Sequence, residues 1–545
     1  MQSFLPPLDS LSLAAQVAQM VVVRASGYLF DHQIRYPAWE PPAKTLESWI
    51  TDLGVGGVIL LGGSAAEVAL RTQQFQDWAQ VPLLIAADVE EGVGQRFAGA
   101  TWFPPPMAIA AVYSHNPNLA IHYAEQMAAI TTEEAQAIGL NWVLAPLVDV
   151  NNNPENPVIN VRAFGETVAA VSELATAFIR GAKPYSVLTA AKHFPGHGDT
   201  TVDSHLELPV IPHDLERLQQ IELPPFEAAI AAGVDSVMSA HLQIPALDST
   251  YPATLSHRIL TQELRQKLGF EGLIVTDALV MGAIANGYGA NEAAVLAVEA
   301  GADILLMPID PEGAIQAVCS AVETGRIAAE RIRESVERIW AAKQKACAPP
   351  LKETTSHAWE SIQPIVQAKD LMVQLAQPKA IALVDSILQD SQRIYTPCLS
   401  RLANQPIQSS RNLVILDDAL ERDLIGNYTP AVIIPADKGY RLQLIDCHTP
   451  TDSLNRSSTH HQPTLLQLFI RGNPFRGSAG LNQTAQDWLQ FLIDSEQLQA
   501  LVIYGSPYIL DQFVPALPPD VPYVFSYGQM PQAQAIALKT LFPVE

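Results

Sequence analysis

The densest chemistry in this 545-residue sequence lies in one stretch of fourteen, Lys192-His193-Phe194-Pro195-Gly196-His197-Gly198-Asp199-Thr200-Thr201-Val202-Asp203-Ser204-His205. Three imidazoles and two carboxylates share it, and its proline and two glycines forbid a continuing helix, so it reads as a loop. Three readings fit those residue types. His193, His197, Asp199, Asp203 and His205 are all candidate metal ligands. Asp203-Ser204-His205 is equally a candidate proton-transfer dyad, in which the carboxylate fixes the tautomer of the ring and raises its basicity. The third reading is a loop that satisfies its own hydrogen bonds.

A second candidate stands alone. Gly272-Leu273-Ile274-Val275-Thr276-Asp277-Ala278-Leu279 places one carboxylate directly after a buried apolar run. An aspartate there is either the N-cap of the next helix or, beside the histidine loop, a nucleophile. Other nucleophile and phosphate systems are excluded, since the chain has no G-x-S-x-G elbow, P-loop, H-E-x-x-H or strand-borne G-x-G-x-x-G.

Positioning such residues requires a scaffold, and the first 340 residues alternate short apolar runs with amphipathic stretches. Eight strands are expected, at Met20–Val23, Gly57–Leu61, Pro82–Asp88, Trp142–Asp149, Val187–Phe194, Ser236–Leu242, Gly272–Asp277 and Ala302–Met307. Helical patterns such as Glu67–Trp78, Leu119–Ile138, Ala169–Ile179, Leu215–Ala232, Leu260–Leu268 and Asn291–Ala300 lie between them. Mostly apolar strands without alternation suit a parallel sheet covered on both faces. The fold class is therefore α/β, a (β/α)8 barrel of the TIM type over residues 1–346. The run Ala348-Pro349-Pro350 and the polar residues after it mark a linker over 347–355. A smaller C-terminal α/β sandwich domain is expected over 356–545, with strands at Ile381–Val384, Leu413–Leu416, Ala431–Ile434, Leu465–Ile470, Leu501–Tyr504 and Tyr523–Tyr527 and an exposed loop at 448–463.

In such a barrel the reacting groups gather at the carboxyl ends of the strands. Asp88, Asp149, Lys192-His193, His241 and Asp277 end five successive strands there. Against the metal reading, the first strand, Val21-Val22-Val23-Arg24-Ala25, lacks the His-x-His pair usual in metal hydrolases of this fold.

Composition narrows the partners. A formal charge of −24 repels phosphate backbones and anionic membranes, which speaks against nucleic acid and membrane surfaces. No uninterrupted apolar stretch reaches the roughly 18 residues of a bilayer span, and the first residues are not expected to form a signal peptide. Four scattered cysteines with no C-x-x-C pair suit a reducing compartment, so the expected location is cytoplasmic.

The strand-five motif, Lys192 to Thr200 followed by Asp203-Ser204-His205, closely resembles the signature of glycoside hydrolase family three, specifically its bacterial β-N-acetylglucosaminidases. Supporting stretches are Pro82–Asp88 with Gln95-Arg96-Phe97, Ala145 to Asn151, Arg162-Ala163-Phe164-Gly165, Met238-Ser239-Ala240-His241 and Thr276-Asp277-Ala278-Leu279. The resemblance covers roughly residues 8–345 with strong motifs and the remainder only by general pattern. It implies a retaining β-hexosaminidase acting on a small carbohydrate, with Asp277 as nucleophile and His205, held by Asp203, as general acid/base. It further implies that Asp88, Arg96, Arg162, Lys192 and His193 form the sugar pocket, with neither metal nor cofactor, and that the substrates are cell-wall fragments. The rivals are a β-glucosidase or a glycoside phosphorylase of the same family, and a non-catalytic carbohydrate-binding barrel. One departure stands out: after Asp88 the family usually reads Gln-Glu-Gly-Gly-Arg, and here stand Val89-Glu90-Glu91-Gly92-Val93. The sequence assigns no active-site residue to the C-terminal part, whose expected role is packing against the barrel or self-association.

Overall fold

The computed structural model describes residues 5–347 except 205, and 371–397, 410–420, 424–449, 462–472 and 483–543 except 372. His205, most of the expected linker and most of the expected loop at 448–463 lie outside the described residues.

Eight parallel strands form the first sheet: Val21–Ser26 (β1), Gly57–Leu61 (β2), Leu84–Ala87 (β3), Trp142–Val143 (β4), Leu188–Phe194 (β5), Ser236–Ser239 (β6), Leu273–Val275 (β7) and Leu305–Leu306 (β8). They run in the order β7-β6-β5-β4-β3-β2-β1-β8, and a Val275–Ile304 bridge joins the two ends into a barrel. The expected strands are all present, several in shortened form. Trp142–Asp149 pairs as a ladder only over its first two residues, because Pro146 has no N–H to give. Its continuation still crosses to β5 through Val148 N to Lys192 O, 2.8 Å. The expected helix at 215–232 breaks before Pro224, which starts the segment Pro224–Ala231.

The second domain carries a six-stranded mixed sheet of Arg393–Tyr395 (β9), Arg411–Leu416 (β10), Arg441–Ile445 (β11), Thr464–Ile470 (β12), Leu498–Gly505 (β13) and Tyr523–Ser526 (β14), in the order β11-β10-β12-β13-β14-β9. Alternate residues of β10 bury on opposite faces, Leu413 and Ile415 on one and Val414 and Leu416 on the other. Two expected strands are helices instead. Ile381–Val384 lies in the helix Pro378–Ser391, and Ala431–Ile434 in the helix Pro430–Asp437. Each begins with proline at its first helical position, where the missing N–H costs nothing, and short apolar runs carry no periodicity of their own. The edge strand β11, mostly exposed, is not among the expected strands.

The loop after β5 is held from inside. Asn156 Nδ2 donates to the carbonyls of His197 and Gly198, both at 2.9 Å. His197 is buried, its main-chain N donates to Asp149 Oδ1 at 2.7 Å, and its ring nitrogens meet Thr200 Oγ1 at 3.0 Å and Ser204 Oγ at 2.9 Å. Burial, followed by the nearby His193 ring, brings the His197 imidazole down to about 4 against the pull of Asp149 and Asp277. The unfolded ring takes up a proton near its ordinary value and the folded one does not until far lower pH. Stability therefore falls as pH drops from about 6.5 toward 4, by on the order of 3 kcal/mol for this ring. In His197→Gln, chemical denaturation across that window should show a pH slope shallower by about one proton. An unchanged slope would contradict the assignment.

Candidate active site

Four charged side chains from three elements meet at one side of the barrel mouth. Lys192, at the end of β5, places Nζ 2.7 Å from Asp88 Oδ1 and 2.6 Å from Glu90 Oε1. Arg162 grips the same Glu90 with two bonds, Nε to Oε2 at 2.8 Å and Nη2 to Oε1 at 2.7 Å, and spends Nη1 on the Val158 carbonyl at 2.9 Å. Lys192 and Glu90 are 1% and 3% exposed, whereas the Asp88 side chain is 35% exposed and turns toward solvent. The buried Lys192 and the partly buried Arg162 among two carboxylates leave no net charge, the condition for keeping such groups out of water.

The electrostatics follow from that pairing. Burial alone would raise the Glu90 carboxyl, but Arg162 and Lys192 outweigh it and hold the group well below the usual carboxylate range. Burial opposes the charge on Lys192, yet Asp88 and Glu90 raise the ammonium above its ordinary value. Arg162 is likewise raised, by Glu90 first and then Asp88 and Asp149, against its own desolvation. Glu90, Arg162 and Lys192 are thus held in their charged forms, donors and acceptors suited to a polyhydroxylated ligand.

The remaining predicted residues fall around it. Arg96 donates Nε to the Asp88 carbonyl at 3.0 Å and so ties the strand end to its own loop. His193 is buried with Nδ1 2.8 Å from Asp149 Oδ2, a contact that fixes its ring. Asp277 sits half-buried at the end of β7 with Oδ1 accepting from Ala278 N at 2.7 Å, and its charge reaches His197 across the mouth. His241 accompanies it, 3.0 Å from the Ala278 carbonyl. Asp203 is buried in the β5 loop beside Ser204.

The stretch read as a metal site divides instead among separate partners: His193 to Asp149, His197 to two hydroxyls, and Asp199 to His213 at 2.8 Å and Arg217 at 3.2 Å. Among the described residues the acidic, thiol and imidazole groups that gather within 4.8 Å are Asp418, Cys447 and His448, in the second domain.

Sequence reasoning did not single out Glu90, the residue that joins Arg162 to Lys192. The available signal was its place two residues beyond Asp88 at a strand end. The departure at 89–93 also resolves into geometry. Val93 is fully buried, and Glu91, 1% exposed, accepts from Trp102 Nε1 at 3.0 Å and from Arg471 Nη2 at 2.6 Å. Arg471 follows β12, so the second domain reaches the loop that carries Asp88 and Glu90, where the sequence assigned it no part.

Comparison with known proteins is consistent across both regions. Residues 12–342 match the model of the glycosyl hydrolase family 3 N terminal domain, and 403–543 that of the bacterial glycosyl hydrolase family 3 C-terminal domain. Over 331 residues the chain is 37% identical to a "Beta-hexosaminidase A" of Pseudoalteromonas piscicida, a match covering 55% of each protein. It is 33% identical over 301 residues to a "Beta-N-acetylglucosaminidase/beta-glucosidase" of Cellulomonas fimi, covering 53% of this chain and 52% of that protein. The chain thus spans about half the length of these two curated relatives. A solved family 3 β-N-acetylglucosaminidase from Paenibacillus sp. str. FPU-7 superposes with a TM-score of 0.76 at 30% identity over 98% of both chains. With both of its regions matched in this way, the chain belongs to glycosyl hydrolase family 3.

Proposed function

We propose that the protein hydrolyses terminal β-linked N-acetylglucosaminides with retention of configuration. The observation that carries this reading is the half-buried Asp277 carboxylate on the same rim as the ion-paired Asp88–Lys192–Glu90–Arg162 cluster. Further support comes from the solved β-N-acetylglucosaminidase that aligns over almost all of the chain.

In this mechanism the Asp277 carboxylate attacks the anomeric carbon as the glycosidic C–O bond breaks, through a transition state of oxocarbenium character. The His205 imidazolium, oriented by Asp203, gives its proton to the departing oxygen. The neutral ring then takes a proton from the water that displaces Asp277, which restores both groups. An imidazole suits that role beside a carboxylate nucleophile, because a second anion there would be repelled in the ionised state. Asp88 and Arg96 hold distal hydroxyls, and Arg162, Lys192 and His193 complete the pocket. Cell-wall fragments as substrates and a cytoplasmic setting belong to the same reading.

The direct test is Asp277→Ala on an aryl N-acetyl-β-glucosaminide, with an aryl β-glucoside in parallel. Loss of turnover by about 1,000-fold or more is expected, and undiminished turnover would overturn the assignment. Faster parent turnover on the glucoside would shift the substrate class, and acceleration by phosphate with sugar phosphate as product would make the protein a phosphorylase. For the dyad, His205→Ala should slow substrates with poor leaving groups far more than activated aryl glycosides, since activated groups need little protonation. Equal losses would argue against proton transfer. Glu90→Gln, which leaves Arg162 and Lys192 short of one negative charge, should lower kcat/KM by about 10–100-fold, chiefly through KM.

A further inference from the structure

We infer that Arg471 of the second domain is a positioning residue for the sugar-binding edge of the barrel. It acts through Glu91 on the segment that carries Asp88, Glu90 and Arg96. The inference rests on the pocket assignment made under the proposed function and extends it to a domain for which the sequence suggested only packing or self-association.

The segment between β3 and the helix Pro106–Tyr113 folds back on itself. Gly94 N donates to Thr101 O at 2.8 Å and Phe103 N to Glu91 O at 2.7 Å. A side chain at Gly92, whose φ is +84°, would meet Thr101 O and the Phe103 ring. The doubled-back segment is then held at two points by the second domain directly and at a third through Glu134 of the barrel, which the second domain also reaches. Arg471 donates to the buried Glu91 carboxylate, whose other oxygen takes the Trp102 indole N–H. Trp102 itself packs on the face of the second sheet lined by Val414, Phe469 and Tyr504. Glu134 accepts from Thr101 N at 2.8 Å and Thr101 Oγ1 at 2.6 Å, and with Oε1 also from Ala376 N at 2.7 Å.

The next residue after Arg471 lies against the segment that leads to the other half of the cluster. At Gly472 an added Cβ would lie 3.0 Å from Asn160 Cβ and from Pro157 O, so its backbone rests directly on the turn that leads into Arg162. Arg471 and Gly472 therefore brace both the β3 segment bearing Glu90 and the 157–162 segment bearing Arg162, the two partners of the bidentate pair. A buried carboxylate that loses its cation either takes up a proton or moves toward water. Movement at Glu91 would carry Glu90 and Asp88 with it, because they are one and three residues away. The effect falls on binding of the sugar in ground and transition state alike, and so on KM rather than on kcat.

The test uses the full chain. Arg471→Met should raise KM for the aryl N-acetyl-β-glucosaminide and the Kd of N-acetylglucosamine about tenfold, with kcat within about twofold. Arg471→Lys should recover much of the loss. Adding Glu91→Gln to Arg471→Met should recover part of it by removing the unpaired buried charge. Asp390→Asn, which weakens the separate Tyr123–Asp390 contact between the domains, should leave KM and Kd unchanged. Equal KM shifts in Arg471→Met and Asp390→Asn, or a folded Arg471→Met that binds N-acetylglucosamine as the parent does, would overturn the proposal. Should Arg471→Met not fold, Arg471→Gln decides the matter by the same KM criterion. If the parent neither binds N-acetylglucosamine nor turns over the glycoside, the functional reading fails on its own. Amide hydrogen exchange at Gly94 and Phe103 then decides the positioning role: faster exchange in Arg471→Met than in Asp390→Asn supports it, and equal exchange overturns it.

Discussion

A lysine ammonium withdrawn from water between two carboxylates is the interaction on which the rest of the molecule depends. Lys192 is reached by Asp88 and Glu90, and Glu90 is in turn gripped by Arg162. Taking these ions out of water costs several kcal/mol each, and removing one partner strands another in a low-dielectric setting. Three barrel elements must therefore arrive in register: the end of β5 with Lys192, the segment after β3 with Glu90, and the turn at 160–162 with Arg162. The continuation of β4 serves the same end. Asp149 accepts from the main chain of both His193 and His197 and from the His193 ring, so the β5 end and its loop are fixed to a neighbouring strand.

The second domain makes sense in the same terms. Without its antiparallel edge strand, its sheet runs β11-β10-β12-β13-β14, an order that reverses between β10 and β12. In open α/β sheets a crevice for ligands forms outside the carboxyl ends of the strands at such a reversal. Here the barrel supplies what meets that part of the sheet. Trp102 packs against its apolar residues and Arg471, just past the end of β12, turns to Glu91. The fold that elsewhere holds a small molecule holds a loop of its own chain.

Much of this was legible in the sequence. Strands buried on both faces announce themselves as apolar runs, and polar residues that end those runs mark the barrel mouth, so Asp88, Lys192, His193 and Asp277 were found from pattern alone. Arg162 and Arg96 came from the family motif. What escaped follows from physics that a linear reading does not hold. Glu90 is one of 56 acidic residues, and only the fold shows that it is buried between two cations. Arg471 lies 380 residues from Glu91 and far outside the strong motifs. The helices at 378–391 and 430–437 read as strands because runs such as Ala431-Val432-Ile433-Ile434 are rich in residues that favour strands, although a helix-starting proline stands at the head of each.

The account turns on a covalent bond between Asp277 and the anomeric carbon. Incubation with a fluorinated N-acetylglucosaminyl donor that forms the glycosyl-enzyme quickly and hydrolyses slowly, followed by proteolysis and mass spectrometry, reads that bond directly. The account predicts one sugar per chain, on the peptide containing Thr276-Asp277-Ala278. Turnover of the donor with no adduct, or an adduct on any other carboxylate, would contradict it.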